Sequence, residues 1–354
     1  MSATSTSGPQ ASPAVRDFEH DAPLVAALRG GYVASLHRGT VCAIDAGGRC
    51  ALEIGDGSQP VFIRSAAKPF QAMPAILSGA VDRFGLTERE LAVLCSSHHG
   101  EQFHVEAVLS ILTKAGLSES ALACGAHPPI HGPSAADRMR RGLEATAVYN
   151  NCSGAHAGML LACRAFGWDT DGYGDPDHPL QRMTRSLLGR FAHVATSSIE
   201  MAVDNCAVPA FRLSLAAAAR AFAVLAAPDV LERDERDAAV RITGAMTGYP
   251  EMVGGTEAFD TRLMRACQGS LIAKGGAEGF QGLGLMECGL GVALKVSDGA
   301  QRAVPPATMR ILRRLDALDR RALAELARDE VTHLQNMRGE VIGSLVPLLD
   351  EWGV

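Results

Sequence analysis

Ser65 and Lys68 stand three residues apart, where a short β-prone run, residues 61–63, gives way to a largely apolar helical segment. Residues at this spacing share one face of a helix. Burial lowers the pKa of a lysine because it disfavours the charged amine. A lysine made neutral in this way can take the serine proton and activate the hydroxyl as a nucleophile without a histidine. The pair therefore indicates acyl transfer on amides, lactams or esters, whereas a helix N-cap serine followed by a solvated lysine is the structural alternative.

Two further clusters offer the partners that such chemistry needs. Ser97 belongs to a run of small polar residues, 95–101, before a predicted helix, where free backbone amides can bind a substrate carboxylate. Lys274 follows a short apolar run, and Gly275 and Gly276 let a ligand approach the backbone closely. Plain helix capping and a surface hairpin are the structural alternatives. Serine enzymes that recognise penicillin combine Ser-x-x-Lys with a second serine and a Lys-Thr-Gly strand, so both clusters have counterparts there.

A fourth cluster contains candidate metal ligands. Cys152 and His156 lie one helical turn apart, and Asp204 and Cys206 follow later in the chain. Thiolate, imidazole and carboxylate groups are ligands that zinc takes in proteins. Each cysteine is equally well explained as a small buried apolar residue. Spacing alone therefore leaves both interpretations open.

The elements that position these residues are predicted from periodicity. Short strands are expected at 32–37, 41–44, 51–54, 61–63, 271–274, 284–288 and 292–296. Helices are expected at 65–77, from 87, at 101–114, 153–166, 179–195, 209–225 and 232–241, and over most of 308–349, with a loop at 124–136. Strands at both ends with helices between them predict an α+β sandwich, an antiparallel sheet flanked by helices, in which the terminal strands share one sheet.

Composition limits the classes of function. The 354 residues are 47% hydrophobic and 20% charged, with a net charge of -6, which gives no basic excess for nucleic acid or an anionic membrane. Nine cysteines without close pairing suggest reduced thiols and a cytoplasmic location. The longest apolar stretch is too short and interrupted to span a membrane. Residues 1–22 are expected to form a disordered leader and residues 23–354 a single domain.

Taken in chain order, the motifs resemble those of the rhizobial-type L-asparaginases. They are Arg64-Ser65-Ala66-Ala67-Lys68-Pro69, Ser97-His98-His99-Gly100-Glu101, Asn151-Cys152-Ser153-Gly154, Asp204-Asn205-Cys206 and Ala273-Lys274-Gly275-Gly276-Ala277-Glu278-Gly279. The resemblance covers roughly residues 24–350. It implies a fold similar to that of serine β-lactamases and glutaminases, a homodimer, and hydrolysis of L-asparagine to L-aspartate and ammonia.

The resemblance also implies roles for individual residues. The two Ser-Lys pairs of the family match Ser65 with Lys68 and Ser97 with Lys274. Ser65 would be the nucleophile and Lys68 its base, while Ser97 and Lys274 would relay protons or activate the attack. Neighbouring residues are expected to contact the substrate: Arg64, His98, Asn151, Gly275, Gly276 and Glu278. The family holds a zinc ion with two cysteines and a lysine, and its cysteines match Cys152 and Cys206, with Asp204 in support. This chain has Ala155 where the lysine belongs, and a methyl group cannot coordinate a metal.

Two other functions stay open at this point. A β-lactamase or penicillin-binding enzyme would use the same Ser-Lys pairs on a different amide. A catalytically weak relative that binds a ligand or a metal would be consistent with the alanine at position 155. Hydrolysis of L-asparagine through an acyl-enzyme on Ser65 is the first hypothesis.

Overall fold

An antiparallel sheet forms the centre of the molecule, in a computed structural model that describes residues 18–348. The strands of this range are β1 (Ala22–Arg29), β2 (Tyr32–Asp45), β3 (Cys50–Ile54), β4 (Pro60–Phe62), β5 (Glu200–Val203), β6 (Pro209–Ser214), β7 (Leu271–Gly276), β8 (Phe280–Leu285), β9 (Leu290–Val296), β10 (Thr332–Gln335) and β11 (Val341–Pro347). The large sheet has the order β10-β11-β1-β2-β9-β8-β7, with β3 also paired to β2. A second, small sheet consists of β4, β6 and β5.

Helices flank the large sheet and fill the middle of the chain. They are α1 (Lys68–Leu77), α2 (Ala80–Arg83), α3 (Glu88–Leu94), α4 (Gln102–Lys114), α5 (Gly132–Arg140), α6 (Ser153–Phe166), α7 (Pro179–Ala192), α8 (Leu215–Ala226), α9 (Arg233–Gly248), α10 (Pro250–Val253), α11 (Phe259–Cys267), α12 (Val304–Arg314), α13 (Arg320–Glu325) and α14 (Ala327–Glu330). A short 3₁₀ turn, Arg64–Ala67, leads directly into α1.

The two ends of the chain meet in the large sheet. β1 pairs with β11, for example Val25 with Pro347, and β2 pairs with β9, for example Val41 with Leu294. Both pairs are antiparallel. The predicted α+β class, with terminal strands in one antiparallel sheet and helices around it, is therefore confirmed.

Helix α8 lies directly against β2, β8 and β9. A side chain on Gly291 would lie 1.9 Å from the carbonyl oxygen of Ala219, and one on Gly282 would lie 2.1 Å from the ring of Phe222. These glycines let the alanine-rich helix approach the sheet closely. Phe222 also meets Phe70 of α1 edge to face, with 5.7 Å between ring centroids. The packing that seats α8 on the sheet therefore also fixes α1.

Some expectations about secondary structure were wrong. Residues 209–214 form β6 rather than the start of a helix, because they pair with β4 and β5. The tail that was expected to be helical ends in β10 and β11, which extend the sheet from β1. Part of the expected loop at 124–136 belongs to α5. The two strand errors share a cause, since pairing with strands distant in sequence overrides a weak local pattern.

The predicted leader lies mostly outside the described residues, which exclude residues 1–17. Its last part belongs to the fold. Asp21 is buried, and its carboxylate accepts hydrogen bonds from Thr40 Oγ1, at 2.7 Å, and from Ser297 Oγ. Ala22 already begins β1. Within residues 18–348, no helix combines the length and the apolar character needed to cross a membrane.

Candidate active site

A cleft of about 550 Å³ opens at the end of β7. Six of the predicted site residues or their neighbours line it: Ser65, Ser97, Asn151, Lys274, Gly275 and Gly276. Another wall comes from Glu257, between α10 and α11, and from Asp260 in the first turn of α11. Several distant segments of the sequence therefore meet around one space.

Lys68 points into the protein rather than toward the neighbouring serine. It is the first residue of α1 and is 3% exposed. Its Nζ donates to Ser97 Oγ at 3.0 Å and to Cys152 Sγ at 3.2 Å. Of the described residues, none makes a hydrogen bond with Ser65 Oγ. The two members of the Ser-x-x-Lys motif are thus neighbours in sequence, but the lysine is hydrogen-bonded to the second serine.

Lys274 approaches the same hydroxyl from the other side. Its Nζ donates to Ser97 Oγ at 2.9 Å and to the carbonyl oxygen of Gly275 at 2.8 Å. The side chain is 2% exposed, and this burial lowers its pKa to about 8. An amine with this pKa is partly neutral near neutral pH and can take up a proton.

Ser97 owes its position to backbone contacts on both sides. It follows α3, whose first turn is fixed by a capping box between Thr87 and Glu90. The Ser97 N–H donates to the carbonyl oxygen of Val253 at 2.9 Å. The adjacent His98 N–H donates to the carbonyl oxygen of Asn151 at 3.0 Å. These bonds tie the serine to the loops that form the two walls of the cleft.

His98, predicted to contact the substrate, lies in the core instead. It is fully buried, and its Nδ1 accepts from the N–H of Gly100 at 3.1 Å. Its Nε2 therefore carries the proton and donates to Ser153 Oγ at 2.8 Å. Burial lowers the pKa of His98 well below the usual value, which keeps the ring neutral. The next residue, His99, lines the cleft.

Arg64 and Glu278 form an ion pair beside the cleft rather than in its lining. Both have left-handed backbone conformations, with φ of 49° and 60°. Arg64 Nη1 lies 2.9 Å from Glu278 Oε2, and Arg64 Nη2 lies 2.7 Å from Asp204 Oδ1. Left-handed backbone at non-glycine residues is unfavourable and persists where surrounding contacts enforce it. The pair joins the Ser65 turn to the loop that follows β7.

Gly276 is required by the close approach of these two segments. A side chain on this residue would lie 2.4 Å from the carbonyl oxygen of Ile63, just before the Ser65 turn. At Gly275, by contrast, the nearest atom to such a side chain is Asp260 Oδ2 at 3.4 Å. Of these two glycines, only Gly276 has a backbone contact too close to admit a larger residue.

Of the candidate metal ligands, the structure brings together the two thiols, those of Cys152 and Cys206. Cys152 and Cys206 are free and buried, and the interaction between the two thiols, with the charge of Lys68, lowers the pKa of Cys152. Asp204 is engaged by Arg64. No three histidine, cysteine, aspartate or glutamate side chains within residues 18–348 converge as metal ligands.

The fourth group of that cluster, His156, has a hydrogen-bond partner at one ring nitrogen and, among the described residues, none at Nε2. Its Nδ1 lies 2.5 Å from the hydroxyl of Tyr173, and burial lowers its pKa to about 3. Ala155 precedes it on α6 and is also buried. The donor set that is present therefore does not fit a four-ligand zinc centre, and the mechanism below uses no metal.

Sequence motifs did not reveal several residues of the cleft. Ile130, Glu257, Asp260 and Gln281 line it without belonging to a recognisable spacing, and His99 lines it as well. His99 was within a motif, but its neighbour was chosen. Asp260 and Gln281 become visible only through the fold, because α11 and β8 bring them beside the end of β7.

A sequence profile described as L-asparaginase II matches residues 25–347, which is most of the chain. The chain belongs to the L-asparaginase II family. This confirms the resemblance carried by the motifs, and it identifies an amidohydrolase of this family. The comparison with curated protein sequences gives no match.

Several solved structures match this L-asparaginase II family member over part of its length. Mglu in its native form is 14% identical, with a TM-score of 0.47, over 81% of this chain and 67% of its own. Mglu in its glutamate form is 15% identical, with a TM-score of 0.44. The match covers 79% of this chain and 61% of Mglu, so this chain spans less than two thirds of that protein. A β-lactamase from Mycobacterium bovis is 13% identical, with a TM-score of 0.42, over 78% of this chain and 94% of its own. The family assignment rests on the sequence profile.

Proposed function

We propose that this family member hydrolyses L-asparagine to L-aspartate and ammonia through an acyl-enzyme on Ser65. The main structural support is that Ser97 Oγ lies between the amines of Lys68 and Lys274, at 3.0 and 2.9 Å, in the cleft that Ser65 also lines. Buried amines beside hydroxyl groups are what a serine nucleophile needs when no histidine acts as its base.

The acylation step moves one proton from the nucleophile to the leaving group. Ser65 Oγ attacks the side-chain carbonyl carbon, and its proton passes to the Lys68–Ser97–Lys274 chain. The carbon–nitrogen bond then breaks, and the nitrogen leaves as ammonia after receiving that proton. The N–H of Ala66 donates to the carbonyl oxygen of Ile63, so the N–H of Ser65 itself is the backbone donor that we propose for the oxyanion.

The deacylation step uses water in place of the hydroxyl. The same amine–hydroxyl chain takes a proton from water, which adds to the ester carbon. The bond to Ser65 Oγ breaks, Ser65 recovers its proton and L-aspartate leaves. We keep Asn151, Gly275 and Gly276, which line the cleft, as the proposed contacts for the substrate.

The size of the cleft supports a small substrate. A volume of about 550 Å³ lies in the range typical of small-molecule sites. L-glutamine is one methylene longer, and a difference of that size changes the free energy of activation by only about 1–3 kcal/mol. We therefore expect L-glutamine to be a poorer substrate rather than an inert one.

A direct assay tests this function. Purified protein is incubated with L-asparagine, L-glutamine or the β-lactam nitrocefin, and ammonia or ring opening is followed. Ammonia release from L-asparagine that disappears in Ser65→Ala is the expected result. Nitrocefin hydrolysis without ammonia release would favour the β-lactamase alternative, and inactivity toward all three would favour a ligand-binding relative.

We also propose that the protein is a homodimer and that it is located in the cytoplasm. Light scattering coupled to size-exclusion chromatography checks the proposed homodimer, which would elute at twice the monomer mass. Fractionation of the native cell checks the cytoplasmic location.

A further inference from the structure

Asp260 reaches the end of β7 from a different element. It is the second residue of α11 and lines the cleft. Its Oδ2 accepts from the N–H of Gly275 at 2.7 Å, and its Oδ1 accepts from Gln281 Nε2 at 3.0 Å. Within residues 18–348, β7 is an edge strand of the large sheet, so its outer side has no partner strand. The Asp260 carboxylate accepts a hydrogen bond from a backbone N–H on that side. It thereby fixes the residue next to Lys274.

The same carboxylate is the main counter-charge to the Lys274 amine. The charged and titratable groups near that amine are Asp260 on α11, Lys68 on α1, Cys95 after α3, Cys152 before α6 and the cleft residue His99. Burial lowers the pKa of Lys274 most, and Asp260 has the largest opposing effect. The Lys68 amine acts in the same direction as burial.

We propose that Asp260 is a positioning residue for the hydrolysis: it holds the end of β7 so that Lys274 stays on Ser97, and it supplies the negative charge that keeps this amine able to take up a proton. The proposal rests on the proposed function for its kinetic readout. Without that charge, burial and Lys68 act unopposed, and Lys274 becomes a weaker base.

A purely structural role for Asp260 makes a different prediction. A carboxylate in the first turn of a helix also stabilises that helix through its dipole. Loss of this stabilisation would lower activity equally at every pH, because the proton affinity of Lys274 would stay the same. The midpoint of the pH profile therefore separates the two roles.

The kinetic test compares wild type, Asp260→Asn and Glu257→Gln in ammonia release from L-asparagine. In Asp260→Asn we expect the acid limb of kcat/KM to move to lower pH, by on the order of 1 pH unit, with a lower plateau. Glu257 lies on the same wall, but its exposed carboxylate pairs with Arg328 rather than with β7. Its replacement should leave the midpoint in place. An unmoved midpoint in Asp260→Asn, or an equal shift in Glu257→Gln, would overturn the proposal.

Two further variants guard against misfolding. Asp260→Glu keeps the charge and should restore the midpoint while kcat stays reduced, because the longer side chain misplaces the β7 contact. Asp260→Ser removes the charge with a smaller polar residue, and it should show the same shift as Asp260→Asn. Failure of Asp260→Glu to restore the midpoint would contradict the charge argument.

A measurement without turnover separates this proposal from the proposed function. The chain has only four lysines, Lys68, Lys114, Lys274 and Lys295, so ¹³C-labelled lysine gives four side-chain signals to titrate by NMR. Lys274→Met assigns the signal of interest. We expect its pKa to fall in Asp260→Asn relative to wild type, and an unchanged pKa in the folded variant would refute the proposal. An inactive wild type would refute asparagine hydrolysis and leave this titration decisive.

Discussion

Lys68 Nζ lies 3.0 Å from Ser97 Oγ, so the lysine of the Ser-x-x-Lys motif is hydrogen-bonded to the second serine and not to Ser65. Lys274 Nζ reaches the same oxygen at 2.9 Å. Two buried amines near one another oppose each other's protonation. Ser97 Oγ therefore lies between the two amines and accepts a hydrogen bond from each, while the hydroxyl of Ser65 stays available to a substrate.

The first prediction concerns the nucleophile. Ser65→Ala removes the hydroxyl that would carry the acyl group, so kcat for ammonia release should fall by on the order of 10³-fold or more. Replacement of the exposed Ser58 by alanine is the matched control and should leave kcat within about twofold of wild type. Retention of full activity by Ser65→Ala would exclude the proposed acyl-enzyme.

The second prediction concerns the bridging serine. Ser97→Ala leaves the amines of Lys68 and Lys274 without their shared acceptor. Loss of a proton relay should lower kcat by about 10²- to 10⁴-fold. Unsatisfied buried groups should also lower the free energy of unfolding by about 1–3 kcal/mol. Chemical denaturation and the ammonia assay measure the two effects, and a fully active variant would show that no proton passes through Ser97.

The third prediction concerns pH. If Lys274 acts as a base, kcat/KM should rise with pH along a limb whose midpoint lies near 8, because burial lowers the pKa of this amine to about 8. A stability effect follows as well. The unfolded chain holds this proton up to about pH 10.5, the usual value, so this group's contribution to the free energy of unfolding increases between pH 8 and 10.5. A flat profile from pH 6 to 9 would contradict the role of Lys274.

The fourth prediction compares two adjacent glycines. Gly276→Ala places a methyl group 2.4 Å from the carbonyl oxygen of Ile63, so backbone must move at the Ser65 turn. Overpacking of this kind costs about 1–3 kcal/mol, and the misplaced turn should abolish most activity. Gly275→Ala meets its nearest atom at 3.4 Å and should unfold at nearly the wild-type temperature. Equal thermal stability of the two variants would contradict this account.

The fifth prediction concerns metal. Because no three histidine, cysteine, aspartate or glutamate side chains within residues 18–348 converge as metal ligands, we expect purified protein to retain less than one zinc ion per chain. A chelator should leave ammonia release within about twofold of the untreated rate. Elemental analysis and the assay with and without chelator check both statements. Stoichiometric zinc would require ligands beyond those that converge in the structure.

The sequence predicted those parts of the site that depend on local spacing. Ser65, Ser97 and Lys274 could be chosen because each stands at the border of a strand-like or helical run. The resemblance paired Ser65 with Lys68 and Ser97 with Lys274. The contact of Lys68 with Ser97 could not be predicted, since the orientation of the Lys68 side chain is decided by Ser97 and Cys152, which lie 29 and 84 residues away. For the same reason Asp260 carried no signal, as its role depends on contacts with β7 and β8.

The fold shows the same division. Helices α4, α6 and α7 were predicted near their observed bounds, whereas α11 was not predicted and β6, β10 and β11 were assigned to helices. β6 pairs with β4 and β11 pairs with β1, each far away in sequence, and such pairing gives little local pattern; β10 then pairs with β11. His98 is a similar case at the level of one residue, because its bond to Ser153 directs it into the core and leaves His99 at the cleft.

The backbone of Gly275 is occupied on both sides, by Asp260 at its N–H and by Lys274 at its carbonyl oxygen. An extended peptide can dock on a sheet edge only where such groups are free to form a new ladder. Strand addition beside the two lysines is therefore blocked by the protein's own side chains. Oligopeptides that carry an internal asparagine should consequently be rejected, while the free amino acid, which needs no ladder, can still enter.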